Sequence, residues 1–434
     1  MSCRSDRLRL LACVVGAAAP ALFSVVGPAA ADEAFTAKTA VTLPGGQIIN
    51  GFDISFFTKD RYYLGDRTNS AVDVIDSDSN TVVAQIGKGL FKGATGNNNT
   101  SGPDGVVVFN NQVWVGDGDS TVKVFNATTG VQITTIATGT PSDFRADELC
   151  FDPRDELVMV ANNAATPPFA SIISTDDFTV KAKIKFDGTN GAPNSSNGAE
   201  QCQWSHRTGK FYISIPEIGG TGDNTHDGGV AVIDPKTMKV ETTFDVPVAN
   251  CSAPQGMALG PDHQMLLGCN GSVNANNATV IIDERNGHII HTFNQESGSD
   301  EVWFNPGDNH YFLARSSAVN TNQLLGVIDA EALSSDPDAF TATKAIVAPS
   351  KTPRNAHSVA ADPEHNQVYV PIPAAVSTVC GLAGGSDAQG CIAVFTTKHD
   401  DKCFAEGSPV VRVSEDGDED HMRDGCRRHH HDHD

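Results

Sequence analysis

The chain has 434 residues, a formal net charge of −23 and 53 acidic side chains against 30 basic ones. Such acidity argues against nucleic acid or an anionic membrane surface as a partner, since both would be repelled. With 40 glycines, 22 prolines and no sustained helical period, the composition favours short strands joined by turns.

In chain order, residues 1–31 read as a signal peptide. Arg4, Arg7 and Arg9 form a basic start, residues 10–26 are apolar and alanine-rich, and Ala29-Ala30-Ala31 offers a small-residue cleavage site before Asp32. That apolar run is too short for a membrane anchor, and no later stretch could span a bilayer. The expected location is therefore periplasmic or secreted. Eight of the ten cysteines follow residue 31, an even number suited to an oxidising compartment. The expected pairs are Cys150–Cys202, Cys251–Cys269, Cys380–Cys391 and Cys403–Cys426. Their spacing does not suit a structural zinc site.

From residue 32 to residue 398 one pattern recurs. A polar residue heads a short apolar run, a turn follows, and a second apolar run comes after it. The heads are Asp53, Asp104, Asp147, Glu200, Gln255, Asp300 and His357, spaced by 43 to 57 residues. A hairpin completes each unit, as in Val74-Ile75-Asp76 with Val82-Val83, or Val232-Ile233-Asp234 with Val240. Seven four-stranded units at this period predict an all-β, seven-bladed β-propeller. The last unit lacks an outer strand, and residues 35–41 can supply it, closing the ring without a free sheet edge. Residues 399–434 leave the pattern. They carry an acid run from Glu415 to Asp420 and end in histidines and aspartates, as expected for a disordered tail with some capacity to chelate metal.

The repeated Val-Ile-Asp hairpins, with Pro254-Gln255-Gly256-Met257-Ala258 and with His357-Ser358-Val359-Ala360 before Val368-Tyr369-Val370, resemble the YVTN family of seven-bladed propellers. That family is related in shape to lactonase-type propellers. The resemblance covers roughly residues 35–398. It implies the fold, but little about function, because this shape hosts enzymes, binders and scaffolds alike.

Propeller topology places the seven heads around one mouth of the channel. It puts the long loops, at residues 88–103, 187–199, 217–228 and 374–390, on the same face. Glu148 and Glu301 directly follow two of the heads. The candidate cation site is thus Asp53, Asp104, Asp147, Glu148, Glu200, Gln255, Asp300, Glu301 and His357. Calcium or magnesium would use the carboxylates and the Gln255 carbonyl, whereas zinc would draw on His357. The alternative is a solvated acidic funnel holding no ion. Ser358 beside His357 is no catalytic pair, since adjacent strand residues point to opposite faces. The segment Gly219-Gly220-Thr221-Gly222-Asp223 lacks a P-loop lysine and reads as a flexible loop.

The expected function is that of an exported, monomeric, non-enzymatic propeller binding a small molecule or a protein on its upper face. The competing expectations are a metal-dependent hydrolase, such as a lactonase, working at the acid ring, and a periplasmic metal-handling protein.

Overall fold

The structure is a computed structural model. It describes residues 35–396, apart from 272–277, 295–297, 316–322, 331–341, 348–355 and 376–377. The expected signal peptide, the expected disordered tail and the expected Cys403–Cys426 pair lie outside the described residues.

Seven antiparallel four-stranded sheets form a ring of blades, as the repeat predicts. Blade 1 runs Ser55–Thr58, Arg61–Asp66, Ala71–Asp76 and Thr81–Ile86, from the axis outward. Blades 2 to 6 begin with inner strands Val106–Phe109, Leu149–Asp152, Cys202–Ser205, Pro254–Leu259 and Ser299–Asn305. Blade 7 takes its three inner strands from Ala360–Asp362, Gln367–Ile372 and Cys391–Thr396. Its outer strand is the N-terminal segment Thr36–Val41, which pairs antiparallel with Cys391–Thr396. Closure by the N-terminus is therefore as expected.

Strand chemistry follows position in the blade. Middle strands are covered on both faces and read as apolar runs, as with Val113, Trp114 and Val115, all fully buried. Outer strands alternate. In Val180–Lys185 the side chains of Lys181, Lys183 and Lys185 face solvent, which discourages pairing with another sheet. The turns use local side-chain acceptors: Asp76 Oδ1 accepts from the Ser79 amide at 2.8 Å, and Asn80 takes φ +50°.

The core is divided among seven apolar clusters, one at each seam between neighbouring blades. At the closing seam Tyr62 of blade 1 stacks on Tyr369 of blade 7, with ring centroids 4.9 Å apart. Three of the expected disulfides are present: Cys150–Cys202, Cys251–Cys269 and Cys380–Cys391. The first joins the inner strands of blades 3 and 4. Among the described residues, no helix is long and apolar enough to cross a membrane.

Candidate functional site

Four of the heads occupy equivalent backbone positions. The amides of Asp53, Asp104, Asp147 and Glu200 each donate to a carbonyl of their own blade's second strand, at 2.8–2.9 Å. In blades 2 and 5 the next residue is a glycine that faces the neighbouring blade closely. At Gly105 and Gly256 a Cβ would come within 2.1 and 2.5 Å of the carbonyls of Asp147 and Asp300, so glycine is needed there. Blades 3 and 6 instead place Glu148 and Glu301 at this level.

Together these residues border a chamber of about 780 Å³ at the upper mouth. Eight of the nine predicted site residues line it; Asp104 does not. The upper loops complete the wall through Asn98 and Asn99, residues 163–168, Asp187 and residues 194–198. The loop after Glu217 is gathered rather than loose. The Glu217 carboxylate accepts from the Ser196 hydroxyl at 2.7 Å and from the amides of Gly222 and Thr225 at 2.5 and 3.1 Å.

Two arginines that no repeat pattern marks reshape the acid ring. Arg67 extends from the loop after Arg61–Asp66. Its guanidinium bonds both Asp53 and Asp104, including Nε to Asp104 Oδ1 at 2.9 Å. Its Nη1 donates to Asn98 Oδ1 at 2.6 Å. Arg145, two residues before Asp147, donates from Nε and Nη2 to Asp147 Oδ2, both at 2.7 Å. Its Nη1 also donates to the Asn98 carbonyl at 3.2 Å. Asn98, from a long upper loop, therefore holds both guanidinium groups in place. The one sequence signal for them is indirect: so many converging carboxylates require counter-charges from the same face.

His357 ties three blades together. Its Nε2 lies 2.6 Å from Asp53 Oδ1 in blade 1, and its Nδ1 lies 2.7 Å from Asp300 Oδ2 in blade 6. Just beneath, the Ser358 hydroxyl donates to Ser55 Oγ at 2.6 Å. Burial disfavours the imidazolium, but Asp300 and Asp53 outweigh it and hold the His357 pKa well above 6.5. The ring is then a cation donating from both nitrogens.

The carboxylates divide accordingly. Burial works against Asp53, yet Arg67 and His357 keep it strongly acidic. Burial raises Asp147 to about 6 against the pull of Arg145. Glu148, Glu200 and Glu301, on the arc from blade 3 to blade 6, form no ion pair among the described residues. Burial, with Asp147 and Asp300 nearby, lifts Glu200 to about 8. Burial lifts Glu148 well above the usual range, and Glu301, three blades away, adds to the rise. Glu301 is raised likewise, chiefly by burial.

Several acceptors on this arc are left open. Among the described residues, neither carboxyl oxygen of Glu301 accepts a hydrogen bond of good geometry, although the nearby Ser358 hydroxyl moderates its pKa rise, and Gln255 Oε1 and Asn163 Oδ1 have no partner. Chemically, the chamber has a charge-matched side and a side offering unpaired acceptors.

No protein-family model matches the sequence, and a search of curated proteins finds no match. Among solved structures, a chain in the crystal structure of a mitotic checkpoint complex aligns with TM-score 0.57, covering 90% of this chain and 99% of its own length. The two share 13% sequence identity, so the likeness is one of fold alone. It supports the propeller, a fold consistent with binding and scaffold roles.

Proposed function

We propose that the protein is an exported, YVTN-like propeller that binds a small polar molecule in its upper chamber without transforming it. The observation that carries this reading is the set of buried acceptors on the chamber wall, Glu301 above all. A buried acceptor without a donor is costly, and a donor-bearing ligand would relieve that cost. The three disulfides suit an oxidising compartment. Against catalysis by His357 stands its geometry: with both nitrogens committed to carboxylates it has no free lone pair to act as a base.

The second reading is a metal-dependent hydrolase. It is favoured by Asp53, Asp104 and Asp147, whose oxygens lie within 4.8 Å of one another. It is opposed by Arg67 and Arg145, which already supply positive charge to those same carboxylates.

A thermal-shift screen of amines, polyols, sugars, carboxylates and divalent cations tests the first reading. The expected result is stabilisation by one class of polar small molecule, abolished by Ala164→Trp, which places an indole on the chamber wall. Stabilisation that survives Ala164→Trp, or none by any class, overturns it.

A further inference from the structure

Glu148, Glu200, Gln255 and Glu301 come from four successive blades and face the one chamber. Glu301 is 3% exposed, and neither of its carboxyl oxygens accepts a hydrogen bond of good geometry among the described residues. Glu301 is among the residues lining the chamber, and its unmet demand calls for donor hydrogens. The arrangement of the acceptors narrows the donor. Among the described residues, the ring's one triad with oxygens within 4.8 Å of one another is Asp53–Asp104–Asp147. The Glu148–Glu200–Glu301 acceptors are therefore spread too widely to form the compact oxygen shell of a single divalent ion. Spread acceptors suit a cation whose N–H donors are themselves spread, such as a planar guanidinium, or a diamine whose two ammonium groups reach separate acceptors. The ring beside the chamber already shows this chemistry: the Arg67 guanidinium spans Asp53 and Asp104.

We propose that the arc formed by Glu148, Glu200, Gln255 and Glu301 is the recognition subsite for an organic nitrogen cation, a guanidinium or ammonium group, carried by the bound molecule. This rests on the chamber being a binding site and names the class of its ligand. A volume of about 780 Å³ accommodates a whole small molecule. A free diamine or guanidino compound and an arginine side chain of a peptide share this chemistry.

Titration calorimetry of the purified protein separates the alternatives. The probes are 4-aminobutylguanidine, 1,4-diaminobutane, the neutral 1,4-butanediol, a Gly-Arg-Gly peptide and calcium chloride. The expected result is one-site binding of at least one cationic organic probe and none of the diol. Glu301→Gln should weaken that binding by about tenfold or more, as for loss of a charge-assisted contact. Should Glu301→Gln fail to fold, Gln255→Met removes an acceptor without touching a charge, and it should weaken the same probe. Preference for the peptide over the free compounds identifies the source as a protein side chain, and the reverse identifies it as a metabolite. Equal binding of the diol, calcium competing at one equivalent, or cation binding indifferent to both variants overturns the proposal. A polyol that binds in the thermal-shift screen and is blocked by Ala164→Trp would overturn the cation while leaving the chamber as the site.

Discussion

Nε2 of His357 lies 2.6 Å from Oδ1 of Asp53, across 304 residues of sequence, where the last blade meets the first. The imidazole is a cation in that contact. A histidine whose pKa is raised by folding contributes stability that is fully present below its unfolded value, near 6.5, and fades as pH rises through the folded value. His357→Gln should therefore melt a few degrees below the natural protein at pH 6, with the gap closing at progressively alkaline pH. The side chain is 37% exposed, so solvent screening keeps the effect modest. Melting curves from pH 5 to 10 measure it.

Arg67 is the counter-charge for two carboxylates with side chains only 4% and 0% exposed. Arg67→Met strands them, and breaking a buried ion pair from one side costs about 3–5 kcal/mol. Adding Asp104→Asn should recover part of that loss. Urea unfolding of the two variants gives the comparison. Arg67→Met also takes the guanidinium off Asp53 and Asp104 while Arg145 stays on Asp147, so calcium should raise the melting temperature of Arg67→Met more than that of the natural protein.

Much of this site was legible in the sequence, and the reason is periodicity. Four of the heads occupy the same backbone position, so Asp53, Asp147 and Glu200 could be brought to one rim from spacing alone. The closing strand was legible because blade 7 visibly lacked its outer member. Arg67 and Arg145 were not legible. They sit in irregular loops, and their partners are set by ring closure and loop packing: Arg67 reaches Asp104 across 37 residues. Without them the ring read as a row of bare acids. With them, Asp104 lies off the chamber lining with its charge met by Arg67.

Blade 1 contains a second acid pair, outside the chamber lining. Asp73 is fully buried, with Gln85 Nε2 donating to its Oδ1 at 2.8 Å and the Asp66 carboxyl within hydrogen-bond reach. Burial, then Asp66, raises its pKa well above 3.8. A carboxyl raised by folding stabilises fully below its unfolded pKa, and that contribution is lost as pH rises through the folded value. Asp73→Asn should therefore stabilise the protein at pH 8 and change little at pH 4. The gain should be about 1 kcal/mol or more, since a tenfold displacement of an acid equilibrium is worth about 1.4 kcal/mol. Denaturant midpoints at the two pH values provide the check.

The Cys150–Cys202 disulfide spans 52 residues and lies two positions along from both Glu148 and Glu200. Closing a loop of that length is worth about 4 kcal/mol in the chain-entropy view. The double variant Cys150→Ala/Cys202→Ala should lose stability on that scale. It should also weaken ligand binding on the arc between blades 3 and 6 more than Cys380→Ala/Cys391→Ala does. Denaturation and calorimetry on the two double variants separate the effects.

A crystal structure of the protein grown with 4-aminobutylguanidine is the most direct measurement of where and what the propeller binds. The predicted result is ligand density inside the upper chamber, with a nitrogen within hydrogen-bond reach of Glu301 and with Arg67 still joined to Asp53 and Asp104. Density confined to the outer surface, or a metal ion at Asp53, Asp104 and Asp147 with Arg67 swung away, would contradict it.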